Sequence, residues 1–186
     1  TISRRQRQMC IRDRIKLGLE PSTEPRLKHN LLLLGRDSAV KGHDFAIELA
    51  RHLRNEFSEL TLTLTGRTQA EPSWIRGLGW VAEDEKLRLL QNSSILLVPS
   101  EYEGQPMVVL EALACGLPVC VSDRLVDVPE GVEVATYGDI EHWGRVISEL
   151  LTSPPDEGKL LESSQPYRIE SISNEWKRVY ESAIVR

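Results

Sequence analysis

The sequence predicts an α/β domain built on a doubly wound, Rossmann-like parallel sheet. Three observations lead there. Short runs that are apolar at almost every position alternate with segments whose apolar residues recur at helical spacing. Glycines close the first two of those runs, at Gly35 and Gly66, as turns at strand ends require. The length of 186 residues, with 40% hydrophobic and 27% charged, suits one globular domain with a real core.

The elements follow in order. Residues 15–28, with Pro21 and Pro25, read as a linker. Leu31–Leu34 is the first strand candidate. From His43 to Phe57 the residues Phe45, Ala46, Leu49, Leu53 and Phe57 mark a helix. Leu60–Thr65 is rich in Thr and Leu and predicts a strand, and Trp74–Val81 predicts another. Glu83–Asn92 is a helix with acidic residues in its first turn, where the helix dipole favours them. Ile95–Val98 is a buried strand, Pro106–Ala114 a helix, and Pro118–Ser122 a second buried strand. Val132–Thr136 is a weaker strand and Asp139–Leu151 a helix that Pro154 and Pro155 stop. A last helix covers Ser173–Ile184, with Trp176 and Tyr180 on one face. Apolar strands separated by helices make right-handed crossovers, so helices cover both faces. Ligands of such sheets bind beyond the carboxyl ends of the strands. The residues that follow Leu34, Thr65, Val98 and Val121 are therefore where a site is expected.

Composition narrows the function classes. The net charge is −5, unevenly spread. Residues 1–14 hold five of the 23 basic residues and one of the 28 acidic ones, a net of +4 that leaves −9 for the rest. An acidic body excludes a nucleic-acid binder. Arg4, Arg5, Arg7, Arg12 and Arg14 offer no apolar face, so residues 1–28 read as a disordered or non-native leader and linker. The domain proper is then 29–186. Three cysteines, Cys10, Cys115 and Cys120, are too few for a disulfide framework and point to a reducing compartment. Cys115 and Cys120 lie in apolar sequence and read as small buried hydrophobes. No apolar run reaches the roughly 18 residues that span a bilayer. His29, His43, His52 and His142 lack metal-ligand spacing; His43, beside Lys41, offers a phosphate contact but reads first as a surface residue at a helix start.

The segment from Pro99 to Pro118 is the most informative. Pro106 suits the first turn of a helix, Gly104 lets a ligand approach the backbone, and the amides around residues 105–108 form an anion site with the helix dipole. Glu111 lies among Val108, Val109, Leu110, Ala112, Leu113 and Ala114. A carboxylate buried there needs a partner, and a ribose diol, which donates two hydrogen bonds, would serve. A pairing with a basic side chain would serve equally. Glu103 precedes the helix and is placed to reach further hydroxyls of the same ligand. Gly35-Arg36 and Lys41-Gly42 flank the turn after the first strand. Two cations there suit a diphosphate, Arg by its planar fork and Lys as a point charge. Each alone also reads as a solvated loop charge.

Together these residues resemble the C-terminal domain of GT-B glycosyltransferases of the family-4 type. The resemblance rests on Gly35-Arg36, Lys41-Gly42, the Glu103-to-Glu111 spacing and the following Ala114, Gly116 and Pro118, and covers about residues 30–184. It implies a retaining hexosyltransferase that takes a nucleotide-diphosphate sugar, UDP- or GDP-linked, as donor substrate, with no cofactor and no metal. Arg36 and Lys41 would hold the diphosphate and help the nucleotide leave. Glu103 would contact the transferred sugar and Glu111 the ribose. Gly104, Gln105, Pro106 and Met107 would touch sugar or phosphate, and Val81, in Gly79-Trp80-Val81, would hold the base through its backbone. The absence of an Asp-x-Asp motif agrees with metal independence. Gln105 and Pro106 stand where many members have an aromatic residue and Gly, and the usual Gly-rich loop is hard to find in Asp123–Gly131, which leaves the donor sugar open. The family's N-terminal acceptor domain is not found here, so the chain reads as a half that binds donor. A cytoplasmic location follows, with peripheral contact at the inner membrane face open to the full-length protein.

Other readings share parts of this pattern. A sugar-nucleotide epimerase of related fold, or a nonenzymatic nucleotide-sugar-binding module, would use the same pocket. Gly77-Leu78-Gly79-Trp80-Val81-Ala82 formally fits a dinucleotide fingerprint, but Trp80 crowds the turn. Paired carboxylates also serve glycoside hydrolases, although a carboxylate within a buried helix suits hydroxyl binding better than proton transfer.

Overall fold

A computed structural model describes residues 19–68, 72–104 and 106–184. The basic leader as far as residue 18, with Cys10 and the five arginines, lies outside the described residues.

Six parallel strands form one sheet in the order β3-β2-β1-β4-β5-β6. They are β1 (Asn30–Leu33), β2 (Thr61–Leu64), β3 (Ile75–Gly77), β4 (Ile95–Val98), β5 (Val119–Ser122) and β6 (Glu133–Ala135). The helices are α1 (His43–Leu53), α2 (Glu83–Asn92), α3 (Met107–Ala114), α4 (Ile140–Thr152), α5 (Glu157–Ser164) and α6 (Ile169–Ile184). The chain winds outward from β1 to β3 and then returns to place β4 beside β1. That reversal opens a crevice at the carboxyl ends of β1 and β4, where doubly wound sheets take ligands.

Strand alternation divides the core into two layers. Leu31 and Leu33 face one side with Leu62, Leu64, Ile95 and Leu97, under α1 and α4. Leu32 faces the other with Leu96, Val98, Val119 and Val121, under α2, α3 and α5. Because both faces are covered, the central strands carry no polar side, which is why they read as unbroken apolar runs. Trp143 of α4 is fully buried, and its indole N–H donates to the Thr136 carbonyl at 3.0 Å. Cys115 and Cys120 are buried free thiols, as expected, and burial pushes the Cys115 thiol up to about 11.

The segment before β1 is tied to the domain through Arg26. Its guanidinium donates to the Leu90, Gln91 and Ser93 carbonyls near the end of α2, and to the Cys115 carbonyl at the end of α3. Two helix C-termini with orphan carbonyls thus share one cation.

Several element boundaries differ from expectation. β3 covers Ile75–Gly77 rather than Trp74–Val81, because Gly79 turns to φ 62° and its amide donates to the Arg67 carbonyl. α1 ends at Leu53, and the chain to Phe57 finishes in turns. α3 begins at Met107, with Pro106 in an extended capping position (ψ 94°) instead of inside the first turn. α5 was not expected. Its two leucines, Leu160 and Leu161, make a weak pattern, and its start is fixed locally by the Asp156 carboxylate, which accepts from the Lys159 amide at 3.1 Å. α6 starts at Ile169, four residues before the expected Ser173.

Candidate functional site

The loops after β1, β2, β3 and β4 build the site, and two glycines set their spacing. Gly66, just past β2, has φ +80°, and a Cβ there would stand 2.4 Å from the Gly35 carbonyl oxygen and 2.5 Å from the Asp37 amide nitrogen. Only glycine lets the second loop approach the first this closely. Thr65 fastens the approach: its hydroxyl accepts from the Gly35 amide at 2.8 Å and donates to the Gly35 carbonyl at 3.2 Å. Gly42 has φ +73°, and a Cβ there would lie 2.9 Å from the Pro99 carbonyl oxygen. This contact holds the start of α1 against the end of β4, and the Glu101 amide adds a bond to the Val40 carbonyl at 2.9 Å.

As a result Lys41 reaches across the switch point to Glu103. Its ammonium donates to Oε1 of Glu103, which also accepts from the Ser100 hydroxyl at 3.0 Å. The stem of Lys41 lies over Gly35, whose Cβ position would be 3.5 Å from its Cδ. Gly35 and Arg36 in turn line a cleft of about 300 Å3. Leu34, Val81, Met107 and Val108 supply its apolar surface, and Trp80 stands at the cleft 90% exposed. Arg36 is exposed and makes no hydrogen bond or ion pair among the described residues.

Glu111 projects from the second turn of α3 into this cleft, and its side chain is 14% exposed. It is not unpaired. Lys86 of α2 donates to its Oε1 at 3.0 Å and lies 3.1 Å from Oε2 of Glu83. Burial alone would push the Lys86 ammonium down; the charge of Glu111 and the hydrogen bonds to both acids outweigh it and hold the group above its ordinary range.

The sequence-predicted residues Arg36, Lys41, Val81, Glu103, Met107 and Glu111 therefore meet at one end of the sheet. Gly104 is exposed beside them, and no atom outside its immediate neighbours would lie within 4 Å of a Cβ built there. Pro106 is buried at the head of α3, and Gln105 lies outside the described residues. Lys86 and Thr65 are site residues that the sequence reading did not single out, and Gly66 lies where the site was expected, directly after Thr65. Gly66 had a signal, as a glycine directly after a strand. Lys86 had none, because its partner Glu111 lies 25 positions away on another helix.

His43 corrects an expectation. It is 1% exposed, not a surface residue. Its Nε2 lies 2.8 Å from the Thr65 carbonyl oxygen, so Nε2 carries the donating hydrogen, and Nδ1 lies 3.9 Å from Asp37. Asp37 itself takes two hydrogen bonds from Arg67, at 2.8 and 2.9 Å, which hold its carboxyl below the usual carboxylate range. Larger depressions, of about 550 and 440 Å3, lie at the amino ends of the strands and between α1 and α4, away from all of these residues. Among the described residues no group of three or more His, Cys, Asp or Glu side chains is placed to hold a metal ion, and no helix is long and apolar enough to cross a membrane.

Comparison with known proteins decides the family. Residues 28–153 match the family model described as glycosyl transferases group 1. The chain belongs to that family. An uncharacterized glycosyltransferase of Haemophilus influenzae is 25% identical over 172 residues, which cover 80% of this chain and 48% of that protein. The pneumococcal O-GlcNAc transferase GtfA, solved in complex with UDP and GlcNAc, superposes with a TM-score of 0.70 at 19% identity, over 89% of this chain and 38% of that one. Anabaena Alr3699/HepE, solved in complex with UDP and glucose, superposes with a TM-score of 0.67 at 15% identity, over 83% of this chain and 48% of that one. The sheet is thus the Rossmann-like sheet of GT-B glycosyltransferases. The chain spans about half the length, or less, of the group 1 relatives it matches.

Proposed function

We propose that residues 29–186 are the donor-binding half of a retaining glycosyltransferase, which holds a nucleotide-diphosphate sugar while an N-terminal acceptor domain completes the active site. The observation that carries this reading is the convergence of Arg36 and Lys41 with Glu103 and Glu111 around the crevice between β1 and β4. Membership of the group 1 family and the UDP complexes of the superposed proteins support it.

In this reading the nucleoside occupies the cleft. Glu111 accepts hydrogen bonds from the ribose, and the Val81 backbone faces the base. The diphosphate lies at the mouth, between Arg36, Lys41 and the first amides of α3, whose dipole favours an anion. Glu103 keeps Oε1 on Lys41 and Ser100 and offers Oε2 to the sugar hydroxyls. Gly104, Pro106 and Met107 border sugar and phosphate. When the bond from the anomeric carbon to the phosphate oxygen breaks, its electron pair leaves on the diphosphate. Arg36 and Lys41 stabilise that growing charge where it appears, an electrostatic contribution to the barrier that needs no metal.

Calorimetric titration of the chain with UDP, GDP and their sugars tests the reading. Saturable binding of one nucleotide family, lost in Arg36→Ala and Glu111→Ala, supports it. Failure of every nucleotide to bind sinks it. Sugar transfer by an enzyme carrying both halves separates a transferase from a module that only binds its ligand.

A further inference from the structure

We infer that Lys86 acts with Glu111 as a matched donor–acceptor pair that reads both hydroxyls of the donor's ribose, making a free 2′,3′-diol a requirement for binding. This rests on the nucleotide reading of the cleft and adds a specificity-determining residue to it.

Hydrogen-bond capacity at the pair leads to this. A lysine ammonium has three N–H donors and no acceptor. Lys86 directs one to Oε1 of Glu111 at 3.0 Å and sits 3.1 Å from Oε2 of Glu83. One donor remains, and the Lys86 side chain, 22% exposed, lines the cleft beside Glu111. A carboxylate has about four lone-pair sites, so Glu111 keeps acceptor capacity after Lys86 has taken one. The cleft wall therefore presents a donor and an acceptor side by side, fixed by an ion pair that links α2 to α3.

A vicinal diol complements that arrangement. One hydroxyl donates to Glu111 and accepts from Lys86, and its neighbour donates to the second Glu111 oxygen. A nucleotide that lacks the hydroxyl Lys86 meets, 2′ or 3′, would leave the Lys86 donor facing a C–H, with an unmet hydrogen bond inside a partly enclosed site. A nucleotide phosphorylated on the ribose is disfavoured too, because Lys86, Glu83 and Glu111 together carry one net negative charge. The pair also reduces the desolvation cost of holding Glu111 ionised before ligand arrives.

The test measures dissociation constants of the whole chain for UDP, GDP and ADP, and for the 2′-deoxy and 3′-deoxy analogues of whichever binds most tightly. Wild type, Lys86→Met and Lys86→Gln are compared, and melting curves check that each variant folds. The expected result is a preference of wild type of about tenfold or more for the ribonucleotide over the deoxy analogue that lacks the hydroxyl shared by Lys86 and Glu111, since one lost hydrogen bond to a charged donor alone is worth about that much. That preference should shrink in Lys86→Gln, which keeps a neutral donor, and shrink further in Lys86→Met, where only the hydrogen bond to Glu111 still favours the hydroxyl. A merely structural lysine would weaken both nucleotides equally and leave their ratio intact. Unchanged ratios for both deoxy analogues in folded Lys86→Met overturn the role of Lys86 while leaving the nucleotide reading in place. If wild type binds none of the nucleotides, the reading and this inference fall together.

Discussion

Replacing Gly66 by Ala tests how closely the site depends on the backbone beneath it. The added Cβ would lie 2.4 Å from the Gly35 oxygen, 2.5 Å from the Asp37 nitrogen and 2.7 Å from the Arg36 Cα. Ordinary non-bonded contacts need about 3.5 Å, so the loops after β1 and β2 must separate by roughly 1 Å. Every atom in the way is backbone, and no side chain can swing aside to absorb the clash. The left-handed φ of +80° adds about 1–2 kcal/mol once a Cβ is present. Together with the forced separation, a loss of about 2–4 kcal/mol in unfolding free energy is expected. The displaced loop carries Arg36, and a misplacement of roughly 1 Å at a catalytic group costs on the order of a hundredfold in rate. Urea unfolding followed by circular dichroism gives the first quantity. Nucleotide titration of the folded variant, and turnover by an enzyme carrying both halves, give the second. Stability and nucleotide affinity both within about twofold of wild type would refute the link between the Gly66 contact and the placement of Arg36.

Other outcomes follow from the same geometry. Lys41→Ala should lower turnover by about 10²–10³-fold while changing the urea midpoint little; unchanged turnover in steady-state kinetics would remove Lys41 from the chemistry. Arg26→Ala leaves carbonyls at the ends of two helices without their shared cation, and should cost about 3 kcal/mol in chemical denaturation; a loss below about 0.5 kcal/mol would count against the double cap. Asp37 titrates below its unfolded value because Arg67 bonds it. Its contribution is present above the ordinary carboxylate range and is lost as the pH falls through the depressed value, so acid unfolding of Arg67→Leu should show a weaker pH dependence than wild type. The Cys115 thiol, held near 11 by burial, should resist alkylation at neutral pH until the protein unfolds, which mass spectrometry of labelled peptides would reveal.

Much of the fold was legible because burial on both faces leaves its mark on every residue of a strand. Ile95–Val98 and Val119–Ser122 could scarcely be anything else, and the glycine after each early strand marked where the ligand side begins. The Glu103-to-Glu111 spacing was legible for a related reason: a carboxylate in an apolar helix is costly and demands an account. Its partner was not legible. The Lys86–Glu111 pair depends on how α2 packs beside α3, and no local pattern encodes that distance. His43 is a different kind of miss. Its neighbours Lys41 and Asp44 suggest a surface, yet positions 43, 46, 50 and 53 share one buried helical face, so the period contained the answer. α5 escaped notice because a short helix with two leucines has almost no amphipathic signature, and its N-cap aspartate is shared with ordinary turns.

The resting contacts of Lys41 and Lys86 also bear on which ligands can win the site. Each ammonium already has a tethered carboxylate as its neighbour, at an effective concentration that no dissolved monoanion reaches. An anion that would take either ammonium for itself must outcompete that built-in counterion, and a small singly charged solute gains little by trying. In the proposed reading a diphosphate spans Arg36 and the remaining donors of Lys41 at once, so a multiply charged guest gains from both cations while Glu103 keeps its contact. Under that reading the internal acids act as placeholders that keep singly charged anions such as chloride from settling on the two ammonium groups.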